Sequence, residues 1–166
     1  MRFPLCYRVL AAVVSAAAFN FSSELRAADR ATPAAARFAL PATDEGLPGA
    51  GPLRRYDWFQ RLWSERRRGW AARLEQDRGA LVWLGDSITQ GWGGTLAAAF
   101  PGVKMANRGI SGDTTRGVLI RLQEDVLALQ PKGIVLLIGT NDLEEQATPE
   151  TAAANLKLIL AAIRRH

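Results

Sequence analysis

Three short stretches of the 166-residue chain combine glycine with groups that can attack or hold a carbonyl. They are Gly85-Asp86-Ser87-Ile88-Thr89, Asn107-Arg108-Gly109-Ile110-Ser111-Gly112-Asp113 and Gly139-Thr140-Asn141-Asp142. Ser87 follows a glycine-assisted turn, a placement that holds a hydroxyl at the mouth of a pocket. Gly109 has no side chain to block approach to its backbone N–H, and Asn141 offers an amide donor. With the Ser87 N–H, these two could surround a developing oxyanion, where one such donor is worth about 2.7–4 kcal/mol. Asp86 and Asp142 stand next to them as supporting residues. Taken singly, Ser87 reads as a helix cap, Gly109 as a turn glycine and Asn141 as a loop residue bonding its own backbone. Their order along the chain carries the functional reading.

The elements that would position them alternate in type. Residues 80–84, 103–107 and 133–138 are short apolar runs suited to buried parallel strands. A helix capped by Asp113 or Thr114 would place Val118, Leu119, Leu122, Val126 and Leu129 on one face and end before Pro131. Another, capped by Thr148 with Pro149 in its first turn, would bury Ala152, Leu156, Ile159 and Ile163. An earlier helix is expected from Asp57, with Asp57 as cap and Gln60 reaching back. Phe59, Leu62, Trp63, Trp70 and Leu74 form its apolar stripe, Trp58, Trp63 and Trp70 are read as packing residues, and Arg66, Arg67 and Arg68 mostly cover its outer side. Strands alternating with helices imply an α/β fold with a parallel sheet, in which ligands sit at the carboxyl ends of the strands. Each of the three stretches lies at such an end. About five strands are expected for a full domain of this kind, and the chain supplies about three.

Hydrophobic residues make up 48% and charged residues 22%, close to the globular average, so a packed core is expected and global disorder is not. Residues 1–28 have the layout of a secretory signal peptide: Arg2 and Arg8, a short apolar run from Val9 to Phe21, then Ala27 and Ala28. Export to the periplasm or the extracellular space follows, with no stable membrane span after cleavage; an uncleaved anchor is the other reading. The single cysteine, Cys6, falls inside this segment, so the mature chain would hold no disulfide. Cleavage removes three arginines and one glutamate and lowers the net charge from +5 to +3. The remaining basic run around Arg61 and Arg66 to Arg68 reads as a solvated helix face, and no nucleic-acid partner is expected. Residues 29–53, rich in Ala, Pro and Gly, read as a flexible linker, and residues 54–166 as the functional domain.

The three stretches resemble blocks I, II and III of the GDSL/SGNH hydrolases, with Ser87, Gly109 and Asn141 at the block positions. The Ile-Thr after Ser87 resembles the branch near platelet-activating-factor acetylhydrolase and bacterial carbohydrate acetylesterases. The resemblance implies a flavodoxin-like three-layer α/β/α sandwich, incomplete here, and ester hydrolysis through an acyl-serine. It implies Ser87 as nucleophile, Gly109 and Asn141 as the oxyanion hole, and no cofactor. Thr89, two residues after Ser87, departs from the G-x-S-x-G turn of α/β-hydrolases. The family's block V supplies an Asp and, three residues on, a His. The only histidine here is His166, and Ile163 stands where the Asp would be. The general base and its Asp are therefore read as absent from the chain, which is expected to lack the C-terminal part of its domain and to be inactive or weakly active by itself.

The leading expectation is hydrolysis of a carboxylic ester, most simply O-deacetylation of a carbohydrate, with a small-molecule or polysaccharide ester as substrate. A lipid ester is the nearest alternative, and a non-catalytic remnant that keeps the pocket is a different class. Gly91, Gly93 and Gly94 suggest a phosphate loop, but no Gly-Lys-Ser/Thr follows. Metal binding is not expected, because there is no histidine pair and no usable cysteine. Asp142, Glu144 and Glu145 read as a solvated loop or helix start. Nothing in the pattern assigns an oligomeric state.

Overall fold

The structure, a computed structural model, describes residues 34–166; the signal-peptide reading of residues 1–28 lies outside them. The described residues fall into two units, one holding 34–37 and the other 38–166. In the first, a single turn of helix, α1, covers Ala34–Arg37. The second contains α2 (Asp57–Ala71), α3 (Leu74–Asp77), β1 (Leu81–Gly85), α4 (Ser87–Gly91), α5 (Thr95–Ala99) and β2 (Met105–Gly109). There follow α6 (Thr115–Asp125), a 3₁₀ turn at Leu127–Leu129, β3 (Gly133–Leu137), α7 (Thr140–Glu144) and α8 (Pro149–Arg165).

The three strands form one parallel sheet in the order β2-β1-β3, with Val82 opposite Ala106 and Ile134. Side chains alternate across it. One face presents Val82, Leu84, Ala106, Ile134 and Leu136 to Val118 and Leu122 of α6, to Leu129, and to Ile159 of α8. Val82, Leu84, Val118, Leu129 and Ile159 are shut off from water there, the burial that parallel strands require. The opposite face carries α4 and α5, and Trp83 stacks on Trp92 with ring centres 5.2 Å apart. That cover thins over β3, where Val135 and Leu137 are exposed. A second apolar cluster joins Phe59, Trp63 and Trp70 of α2 to Leu40, Leu53 and Ile110.

Helix ends follow local chemistry. The Thr114 side chain accepts from the Gly117 N–H and caps α6, and the Thr148 side chain caps α8 with Pro149 as its first residue. At α2 the expected capping box is not formed. Tyr56 holds the cap position without a side-chain bond, Asp57 lies in the first turn, and Gln60 Nε2 donates to the Arg55 carbonyl at 2.7 Å. A side chain bonded to Arg55 cannot also reach back to the cap. Two further α2 expectations change: Trp58 is exposed, and Arg67 points inward. Arg67 lies four residues after Trp63 and three before Trp70, so the helical period puts it on the buried face. Asp125 meets it there at 2.8 Å.

Within the stretch expected to be a linker, residues 40–53 hold specific contacts. Leu40 and Leu53 are buried, Asp44 pairs with Arg55 and Arg116, and Asn155 of α8 bonds both the N–H and the carbonyl of Ala50. Among the described residues, no helix is long and apolar enough to cross a membrane.

Candidate active site

The register decides which groups can meet. Gly85, the last residue of β1, is level with Gly109 of β2 and Leu137 of β3. Ser87 follows two residues later and Asn141 four residues after Leu137, so all three stretches leave the sheet at one edge. β1 is central, and its neighbours are reached in opposite directions. Its carboxyl end is therefore the switch point at which open α/β sheets place ligands.

Local chemistry builds the Ser87 turn. The Asp86 carboxylate accepts from the Ile88 N–H at 3.0 Å and its carbonyl from the Gln90 N–H at 2.9 Å. This starts α4 at Ser87, whose side chain is exposed, while Asp86 is buried. The Ser87 N–H, first in the helix, has no intrahelical acceptor. A Cβ on Gly85 would run into the Leu137 carbonyl and the Thr89 hydroxyl; one on Gly109 would run into the backbone of Gln90 and Asp86. Both glycines are needed simply for α4 to lie on the strand ends.

The donors expected around an oxyanion have protein partners. The Gly109 N–H donates to Asn107 Oδ1 at 2.9 Å, and Asn107 Nδ2 donates to the Thr89 carbonyl at 2.6 Å. Asn141 is buried and its Nδ2 donates to the Asp113 carbonyl at 2.8 Å. Buried donors must be paired when no ligand takes them, and Asn107 and Asp113 fill that role. Asn107 escapes sequence reasoning because it lies within β2. Its position two residues before Gly109, on the same face of the strand, is the signal that identifies it.

Asp142 is not solvated. It is withdrawn from water, and its carboxylate accepts from the Thr115 N–H at 2.8 Å and the Thr115 hydroxyl at 2.5 Å. Asn155 Nδ2 adds a bond to the same hydroxyl at 2.9 Å. The loop carrying Asn141 is thereby tied to the start of α6. Glu144 and Glu145 hold Arg54 at 2.5 and 2.7 Å, which ties α7 to the segment ahead of α2. The helix start expected here is formed, and Glu144 stays exposed; of the three acids Asp142 alone leaves the solvent, because Thr115 arrives from a distant part of the chain to pair with it. Among the described residues no group of His, Cys, Asp and Glu is placed to hold a metal ion.

Behind the strand ends lies a knot of arginines and aspartates. Arg121 Nε donates to Asp113 at 2.8 Å, and Arg121 Nη2 donates to the Arg108 carbonyl at 2.8 Å and, longer, to that of Gly85 at 3.4 Å. Arg108 pairs with Asp77 at 2.8 Å, and the guanidiniums of Arg66, Arg108 and Arg121 each lie 5.1–5.3 Å from the centre of the Trp70 ring. Burial pushes the Asp113 carboxyl up to about 6 against the pull of Arg121. Burial also raises Asp125, and lowers Arg108 and Arg66. Arg121 is three residues after Val118 on the inner face of α6, the spacing by which its burial can be read from the sequence.

His166 lies elsewhere. It shares a groove with Pro131, Lys132 and Gly133 at the amino end of β3. The five residues of that strand separate it from the Ser87 edge by roughly 15 Å.

Comparison with known proteins agrees with the α/β fold. A model of the GDSL-like lipase/acylhydrolase family matches residues 83–166. An acetylxylan esterase of Geobacillus stearothermophilus is 42% identical over 55 residues, 32% of this chain and 25% of that protein. A GDSL-like lipase of Bacteroides thetaiotaomicron superposes with a TM-score of 0.53 at 27% identity, over 60% of this chain and 53% of its own. A protein of Streptococcus pneumonia described as a putative platelet activating factor gives a TM-score of 0.54 at 26% identity, over 66% and 51%. The chain thus spans a quarter of the matched esterase and about half of each of these two structures.

Proposed function

The chain belongs to the GDSL-like lipase/acylhydrolase family, and from that premise we propose that it carries the nucleophile side of a serine-ester hydrolase. The observation that bears most weight is the exposed Ser87 at the switch point of the sheet, with Gly109 and Asn141 leaving the same edge. In this reading Ser87 Oγ attacks the ester carbonyl carbon. The carbonyl oxygen gains the negative charge and takes hydrogen bonds from the Ser87 N–H, the Gly109 N–H and the Asn141 amide. Asn107 and the Asp113 carbonyl hold the last two donors until substrate displaces them. The tetrahedral adduct then expels the alcohol, and water releases the acid from the acyl-serine. Asp86 shapes the nucleophile turn and Asp142 fixes the loop of Asn141.

The proton of Ser87 needs an acceptor, and the one histidine sits at the far end of the sheet. Without a base the hydroxyl is a weak nucleophile near neutral pH. Donors and binding alone leave about 10³–10⁴-fold over water in a serine hydrolase stripped of its triad. The 166 residues by themselves are expected to work at that level. Carbohydrate O-deacetylation is the preferred substrate reading, supported by the partial match to an acetylxylan esterase. The signal-peptide layout of residues 1–28 supports a setting outside the cytoplasm.

The test is turnover of p-nitrophenyl acetate and p-nitrophenyl palmitate by the full chain, with Ser87→Ala as the blank. Slow acetate turnover that depends on Ser87 and rises with added imidazole, as a substitute base, is the expected result. Preference for palmitate would move the substrate to lipid esters. Equal rates for Ser87→Ala and the parent at every imidazole concentration would remove the catalytic reading.

A further inference from the structure

Tyr56 and Trp58 are large aromatic residues left in the open beside this edge. They are 54% and 45% exposed, their rings lie within 12° of parallel, and their centres are 6.3 Å apart. The pair is fixed from behind: Phe59 meets Trp58 edge-on at 5.7 Å and is itself buried. Its position is set by the loop after β2. Gly112 has a φ of +84°, and a Cβ there would lie 2.7 Å from the Trp58 ring and 2.9 Å from the Arg54 guanidinium. Gly112 is three residues past Gly109, and Arg54 grips the helix that begins at Thr140 and carries Asn141. The same loop is tied to the Ser87 helix by the bond from the Ser111 N–H to Gln90 Oε1 at 2.7 Å. Trp58 therefore stands against Gly112 in the loop that leaves the acyl-transfer edge, at most roughly 10 Å of chain past Gly109, and the Tyr56 ring centre is 6.3 Å from that of Trp58.

We infer that Tyr56 and Trp58 form a stacking platform for a neutral pyranose ring of the substrate. This inference rests on the carbohydrate-ester reading above and assigns the residues that select the alcohol side of the ester. Three features favour a sugar over an acyl chain. The two stacked rings are open to solvent, whereas an alkyl chain gains most from a closed groove that surrounds it. Exposed aromatic faces match the C–H face of a pyranose and leave its hydroxyls free. Charged groups are near along the chain: Asp57 lies between the two aromatics in sequence, and Arg54, two residues before Tyr56, holds Glu144, which is 67% exposed. These can bond sugar hydroxyls and would repel the interior of a lipid aggregate. The remaining exposed tryptophan, Trp92, stacks on Trp83 over the opposite sheet face and serves as an internal control.

The experiment is a titration of the full chain with xylotetraose, followed by tryptophan fluorescence and calorimetry. Trp58→Ala, Tyr56→Ala and Trp92→Ala are compared, with thermal unfolding as a check on folding. Trp58→Ala is expected to weaken binding roughly tenfold, Tyr56→Ala less, and Trp92→Ala not at all, while Tm stays within a few degrees. Ser87→Ala should bind as the parent does, which separates this inference from the catalytic one: loss of turnover leaves the platform standing. Undetectable binding by the parent overturns the inference. So does unchanged affinity in Trp58→Ala, or a Trp58-dependent affinity for dodecyl chains that exceeds that for the sugar.

Discussion

Behind the strand ends, Arg121 and Asp113 are withdrawn from water, Arg108 and Asp77 nearly so, and each meets an opposite charge. In front of them, Ser87, Tyr56 and Trp58 stand in solvent. The two zones lie within a few residues of each other and follow opposite economies of contact. A buried ion pair costs desolvation on both sides, and it persists only where geometry and further hydrogen bonds offset that cost. Here the further bonds go to the Arg108 and Gly85 carbonyls, the backbone immediately before Gly109 and just before Ser87. The knot therefore fixes where the reacting groups begin. Ser87, Tyr56 and Trp58 carry no buried ion pair, so changing them is expected to disturb the fold less. Stability and chemistry are separable in this molecule, and the line between them runs along the strand ends.

The largest blow to that division should come from the knot. Arg121→Met leaves Asp113 buried without its partner, and a loss of about 3–5 kcal/mol is expected from urea unfolding. A loss under about 1 kcal/mol would mean that the buried pair does not anchor the strand ends.

A second effect sharpens the contrast through pH. The folded-state value of Asp113 is raised to about 6 from 3.8, so between those values the folded chain holds a proton that the unfolded chain has released. Its contribution is complete below about pH 4 and is lost as pH rises through about 6, so stability from this group falls across that window. Asp113→Asn, though less stable overall, should show a flatter urea midpoint between pH 4 and 6. An unchanged slope would contradict the assignment.

Ser87→Ala should do least to the fold. The side chain is exposed and makes no packing contact that the core needs, so a change within about 0.5 kcal/mol is expected in the same unfolding assay. A substantial loss would place Ser87 with the knot.

The sequence carried the strands, α6 and α8 with their caps, and the convergence of three glycine-bearing turns. Those follow from nearest-neighbour rules: apolar runs, Thr caps, Pro149, and the switch from strand to helix at Gly85. What it concealed needed partners far along the chain. Asp142 looks like a surface acid until Thr115 arrives from 27 residues away. Arg67 looks like part of a basic face until Asp125, 58 residues on, is placed against it. Trp58 shows the reverse: a tryptophan beside a buried Phe59 reads as core, yet the helical period turns it outward. The Gly109 N–H looked free because Asn107 sits within a strand, where side chains are expected to pack rather than to hold a neighbouring amide.

The central claim is that Ser87 is the acylating group of this sheet edge. The direct measurement is mass spectrometry of the folded chain after reaction with a fluorophosphonate, with site occupancy followed over time. The account expects slow labelling of Ser87 well ahead of Ser64 and Ser111, slowed further by Asn141→Ala and absent in Ser87→Ala. Labelling of Ser87 no faster than Ser64 and Ser111 in the folded chain would contradict it.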